Sequence, residues 1–136
     1  MKRTATAVWN GSGKDGSGKL STQSTVLQQV QYSYKSRFEQ GTGTNPEELV
    51  AAAHSGCYSM KLSFLLGAAG FVPESIETTA AVDFDNGVVA GSHLTVKAKV
   101  PGISEEKFKE CAEEAKATCP ISKALSIPIS MDASLA

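Results

Sequence analysis

Asn45-Pro46-Glu47-Glu48-Leu49-Val50-Ala51-Ala52-Ala53-His54-Ser55-Gly56-Cys57-Tyr58-Ser59-Met60 is the stretch on which the fold turns. Asn supplies a side-chain cap, Pro suits the first helical position, and two carboxylates fall where the positive end of a helix favours them. The apolar pattern predicts a helix continuing to about Ala69, closed by Gly70, with Pro73 soon after. Apolar or small residues occur almost all round it, so it must be covered on most sides. A small sheet shields only one side, which predicts a second subunit pressed against the helix. His54, Ser55, Ser59 and Lys61 interrupt the run, favouring a buried core helix over a membrane span.

Working outward, residues 4–9 and 19–24 read as strands joined by the flexible Gly/Ser/Lys/Asp cluster 11–18. Residues 30–38 read as a third strand with Tyr32 and Tyr34 on one face, before a loop at 41–44. Beyond the helix, Ile76, Thr78, Ala80, Val82 and Phe84 alternate with more polar neighbours. Asp85-Asn86-Gly87 turns the chain, and Leu94, Val96, Ala98 and Val100 alternate again, predicting a hairpin with one buried face. Ser104 caps a helix that buries Phe108, Cys111, Ala112 and Ala115 and ends near Thr118. Pro120 starts a short helical segment, and 127–134 closes as a strand. The expected class is α+β in β-β-β-α-β-β-α-β order, with mainly antiparallel sheets around a long central apolar helix. Consecutive strands look too close for crossovers.

The 136 residues suffice for one domain, 1–136, with a real core. A formal charge of -1 argues against nucleic acid or an anionic membrane as main partner. Met1-Lys2-Arg3 is followed by Thr4-Ala5-Thr6 rather than an apolar run, so no signal peptide is expected and the reading is cytoplasmic. In a reducing compartment three cysteines leave catalysis, metal binding or packing open.

Cys57 lies about three turns inside the long helix, too far from its start for unpaired amides to hold a thiolate. It is either a small core residue or a thiol that needs a side-chain cation. Arg37, between Tyr34 and Phe38 at an expected strand end, is the preferred cation; the alternative is a plain surface arginine. Glu47 can hold that guanidinium, or simply sit in the first helical turn. Glu47 and Cys57 are separated by ~15 Å of helical rise, so a shared site requires two antiparallel helices from two copies. Cys119, ahead of Pro120, would stand near free amides that favour a thiolate. To meet Cys57 in a disulfide, its Cα must come within about 4.4 to 6.8 Å. Cys111 is assigned to packing. His54 and Cys57 share a helix face, which raises a weak zinc site completed by Cys119 and His93, or a Cys-His nucleophile pair. The Gly-rich loop lacks the ending of a phosphate loop.

Gly43-Thr44-Asn45-Pro46-Glu47-Glu48-Leu49, then Ala51-Ala52-Ala53-His54-Ser55-Gly56-Cys57, then Cys119-Pro120-Ile121-Ser122 together resemble the OsmC/Ohr family of organic hydroperoxide reductases, over essentially the whole chain. The resemblance is to the OsmC branch: Arg37 stands where that branch carries its arginine, whereas the organic hydroperoxide resistance branch has one in the early Gly-rich loop, where this chain has Lys14. It implies an OsmC-like fold and an intertwined homodimer with active sites at the subunit interface. Cys57 would be the peroxidatic thiol, Cys119 the resolving thiol, Arg37 the activator and Glu47 its partner. The substrate would be an organic hydroperoxide, reduced to an alcohol through a Cys57 sulfenic acid and a Cys57-Cys119 disulfide in oxidative-stress defence. An external dithiol, of the lipoylated kind in the organic hydroperoxide resistance branch, would reduce that disulfide. No metal, flavin or haem would be needed. Tyr32, Tyr34, Phe38, Phe64 and Leu65 are the expected apolar pocket walls. The competing reading is a non-enzymatic redox sensor or small-ligand module using the same thiols.

Overall fold

The computed structural model describes Met1–Ala136, which divides into two compact units, Met1–Leu49 and Val50–Ala136. In the first, β1 (Ala5–Asn10), β2 (Ser17–Thr22) and β3 (Val30–Tyr32) form an antiparallel sheet in that order. Trp9 pairs with Gly18, and Gly18 with Tyr32. The Trp9 and Tyr32 rings therefore close over the glycine, their centroids 5.4 Å apart. A Cβ on Gly18 would run into both rings.

The third strand is shorter than the sequence suggests. Ser33 breaks it by capping α1 (Tyr34–Phe38): its hydroxyl accepts from the Ser36 N–H, and the Ser36 hydroxyl accepts from the Ser33 N–H. This reciprocal serine pair satisfies two backbone donors that a strand end would leave to solvent. Tyr34 and Arg37 consequently stand on a helical turn, not on a strand.

The helix α2 (Pro46–Ala68) begins where Asn45 Oδ1 accepts from the Glu48 N–H at 2.8 Å. The Asn45 amide donates to the Ser36 carbonyl, tying this start to α1. At the far end Gly70 adopts φ 93° while its N–H bonds the Gly67 carbonyl and that of Phe71 bonds Leu66. That is a Schellman ending, which a left-handed glycine permits.

In the second unit β4 (Ser75–Asp85) and β5 (Val88–Lys99) pair as the expected hairpin. Asn86 and Gly87, both at positive φ, make its two-residue turn. After β5 come α3 (Glu105–Thr118), α4 (Pro120–Ala124) and β6 (Ile129–Leu135). β6 lies parallel to β5, while the other strand pairs are antiparallel, so the sheets are mainly antiparallel as expected although a crossover is present. The two intervening helices form a crossover that returns the chain to the same end of the sheet. The core joins Tyr58, Leu62 and Leu66 of α2 to Leu94, Val96 and Ala98 of β5 and Phe108, Cys111 and Ala115 of α3. His54, Tyr58, Leu62 and Leu66 form one fully buried helical stripe. On another face Gly56, Met60 and Phe64 are exposed. For Met60 and Phe64 the exposures are 65% and 69%, large for such apolar side chains. No helix is long and apolar enough to cross a membrane.

Candidate active site

Two clusters of chemically capable side chains emerge, one in each unit. In the first, Arg37 donates from both Nε and Nη2 to Oε1 of Glu47, at 3.1 and 2.9 Å. Glu47 is buried and its Oε2 has no donor, so its desolvation is only partly offset by the guanidinium. The Arg37 side chain stays 39% exposed, and its guanidinium carbon lies 5.4 Å from the Phe38 ring centroid. Phe38 packs on Tyr34 with centroids 4.6 Å apart. Tyr34, Arg37 and Phe38, with Trp9, Lys14 and Tyr32, line an open cavity of about 420 Å³. Tyr32, Tyr34 and Phe38 thus gather around Arg37. Trp9 and Lys14 were not anticipated there.

In the second unit the Cys119 thiol donates to the Cys57 sulfur across 2.9 Å, and both are free thiols. The backbone explains the meeting. Cys119 ends α3, its N–H bonding the Ala115 carbonyl, and starts α4, whose first position is Pro120, where no N–H is needed. Cys119 is fully buried, and Cys57 is partly so.

The surroundings of the two sulfurs differ. At Cys57, burial pushes the pKa up and the Cys119 thiol adds to the rise, outweighing the Ile121 N–H and the Lys61 charge. At Cys119, burial also opposes ionisation, but it is overcome by Cys57, the Ser122 N–H and hydroxyl, and the Ile121 N–H; the net direction is down.

A smaller cavity of about 200 Å³ beside Cys57 is lined by Met60, Lys61, Phe64 and Pro120. Leu65, expected on a pocket wall, is partly buried against the hydrophobic core. It follows Phe64 by roughly 100° of helical turn and so faces another way. Cys111 is buried on α3, where burial raises its pKa.

His54 was weighed as a zinc ligand or as the direct partner of Cys57; both its ring nitrogens are instead engaged by serine hydroxyls. Nδ1 meets the Ser92 hydroxyl and Nε2 the Ser122 hydroxyl, each at 2.8 Å, in a fully buried setting. Both ring nitrogens of His93 are likewise engaged, by Ser130 and Asp132. The sequence offered a signal for the His54 contacts in the helix-face spacing of His54 and Cys57 and in Ser122, one turn after Cys119. It gave no means of joining them.

Residues 39–134 match the family model described as OsmC-like protein. The chain is 48% identical over 131 residues to "Peroxiredoxin OsmC" of Escherichia coli strain K12, covering 93% of this chain and 91% of that protein. It is 29% identical over 126 residues to "Organic hydroperoxide resistance protein-like 2" of Staphylococcus epidermidis, covering 89% and 86%. Among solved structures, the organic hydroperoxide resistance protein OhrB of Bacillus subtilis superposes with a TM-score of 0.68 at 25% identity, covering 98% of each chain.

Proposed function

The chain belongs to the OsmC-like family, in its OsmC branch, and is a cysteine-based peroxidase; from that premise we propose that it reduces organic hydroperoxides to alcohols through Cys57 and Cys119. The observation that carries this reading is the 2.9 Å approach of two free thiols, one partly exposed beside a cavity and the other buried at a helix junction.

In the first step the Cys57 thiolate attacks the terminal peroxide oxygen. The O–O bond breaks, the organic oxygen leaves and takes a proton as alcohol, and Cys57 becomes a sulfenic acid. Cys119 then attacks that sulfur, the S–O bond breaks, water leaves and a Cys57-Cys119 disulfide forms. An external dithiol returns both sulfurs to thiols.

The first step needs a cation, because the surroundings of Cys57 within its own unit push its pKa up. Arg37 is the group we assign, supplied by a second copy of the chain and aligned by Glu47. Its planar fork can stabilise both the thiolate and the charge developing on the breaking O–O bond. The exposed stripe of α2 containing Gly56, Met60 and Phe64 is the surface on which that copy would sit. Such an arrangement would bring the aromatic cavity of one copy, walled by Trp9, Tyr32, Tyr34 and Phe38, to the thiols of the other. Aromatic walls favour an organic substituent over hydrogen peroxide. The same reading places the protein in the cytoplasm, where reduced thiols are maintained.

Steady-state turnover with cumene hydroperoxide and excess dithiol tests the function. An enzyme consumes many equivalents per chain, whereas a redox sensor stops after one. Consumption limited to one equivalent would overturn the proposal.

A further inference from the structure

His54 is a fully buried, titratable group to which the peroxidase steps assign no task. Its imidazole connects three elements: it projects from α2, meets Ser92 on β5 through Nδ1, and meets Ser122 on α4 through Nε2. Ser122 also acts on the Cys119 sulfur through its hydroxyl and its N–H. Hydrogen bonds thus join Ser92, His54 and Ser122 on one side and Cys119 and Cys57 on the other, and Ser122, three residues into the same helical turn that Cys119 opens, links the two sets inside the second unit. A buried histidine bonded at both nitrogens to hydroxyls has two neutral tautomers available, because each hydroxyl can donate or accept.

We propose that His54 is a positioning and proton-holding residue for the resolving step, acting on Cys119 through the Ser122 hydroxyl. The inference rests on the assignment of Cys119 as resolving thiol. With Nδ1–H donating to Ser92, the Ser122 hydroxyl donates to Nε2 and leaves its oxygen facing the Cys119 thiol. As Cys119 attacks oxidised Cys57, its S–H bond breaks, its proton passes to the Ser122 oxygen, and the Ser122 proton passes to Nε2. The sulfur's electron pair forms the S–S bond while the S–O bond of the sulfenic acid breaks. The departing hydroxide then takes the proton back along the same line and leaves as water. The sum is a thiol and a sulfenic acid giving a disulfide and water, with the imidazole returned to neutral.

Burial lowers the His54 pKa, so the ring is neutral at rest and gives back readily any proton passed to it. Tyr58 and Lys61 of α2 are titratable groups that act on, or feel, the two sulfurs. Tyr58 donates to the Ala112 carbonyl and is held as a neutral phenol, its pKa pushed far up by burial, with Glu113 and Cys119 adding to the rise. Lys61 acts on Cys57.

Rapid-quench thiol mapping by mass, across a range of pH and after one equivalent of cumene hydroperoxide, separates sulfenic acid formation from disulfide formation. In Ser122→Ala and His54→Gln we expect the first step unchanged and the second about tenfold slower at neutral pH. The pH midpoint of that second step should move upward, with the rate recovering under alkaline conditions. A second readout needs no peroxide: in a Cys57→Ser background, adding Ser122→Ala should move the pH midpoint of Cys119 alkylation upward. Ser122→Ala carries the test even where His54→Gln does not fold. Wild-type rates and midpoints in Ser122→Ala would overturn the relay, as would a slowing that alkaline pH does not restore, since that is loss of docking alone. Failure of the wild type to form a Cys57-Cys119 bridge would overturn the assignment of Cys119 instead, and the alkylation midpoints would still judge the relay.

Discussion

Cys57 and Cys119 are chemically identical side chains in contact, yet the fold treats them in opposite ways. Cys57 is in the interior of a long helix, whose own amides are already bonded along it, and burial with the Cys119 thiol pushes its pKa up against the Ile121 N–H. Cys119 stands at the junction of α3 and α4, where Cys57 itself, the Ser122 N–H and hydroxyl and the Ile121 N–H pull its pKa down against burial. The difference teaches that one unit by itself favours ionisation of Cys119 over Cys57, so that the proposed attack by Cys57 depends on an imported charge. In the other unit, Arg37 is already clamped by Glu47 beside an aromatic cavity.

The largest effect that can break this comparison comes from exchanging the sulfurs one at a time. Cys57→Ser should abolish peroxide consumption entirely. Cys119→Ser should retain the first oxidation and accumulate sulfinic and sulfonic acid at Cys57, visible by intact mass. If the two variants behaved alike, the division of labour between the sulfurs would be wrong. Next in size, Arg37→Ala should lower kcat/KM about a hundredfold, the scale of removing a preorganised donor from a developing negative charge. Because an unassisted Cys57 ionises late, activity in that variant should climb with pH through the alkaline range, after the wild type has levelled off.

How much of this was legible in the sequence depended on whether the determinant was local. Asn45, Pro46 and Gly70 announce the bounds of α2, and Asn86-Gly87 announces its hairpin turn, because capping and positive φ are properties of a few adjacent residues. Ser33 and Ser36 carried an equally local signal for α1. It was hidden by aromatic residues that also suit a strand, and by serine standing where a capping box usually has Glu or Gln. The parallel pairing of β6 and the bonds from His54 to Ser92 and Ser122 are products of long-range packing, to which no spacing along the chain points. The two ordered cysteines and the Arg37 and Glu47 positions were legible through family resemblance. The opposite pKa directions of the two thiols came only from their surroundings.

A smaller effect sharpens the contrast from the acid side. His54 is buried neutral, so its folded pKa lies below the ordinary 6.5, and the folded state binds fewer protons there than the unfolded chain does. Its contribution to stability is present above 6.5 and is lost as pH falls through the lowered folded value. Denaturation monitored between neutral and mildly acidic pH should show stability falling in the wild type. In His54→Gln that component of the slope should be missing. The smallest effect concerns the exposed face of α2. An alanine at Gly56 meets no atom within 4 Å in the single chain, so Gly56→Ala should raise intrinsic helix stability by about 1 kcal/mol. Sedimentation should nonetheless show weaker self-association, because the added methyl would stand between two packed copies. Unchanged association would mean the second copy sits elsewhere.

Whether Cys57 receives its cation from another copy is decided most directly by complementation. Cys57→Ser and Arg37→Ala chains are co-expressed with different affinity tags, the mixed species is isolated, and its peroxidase turnover is compared with that of each parent. A guanidinium supplied across copies predicts restored wild-type-like turnover at one of the two sites, since that site combines an intact Cys57 from one chain with an intact Arg37 from the other. A mixed species no more active than the Arg37→Ala parent would contradict the account.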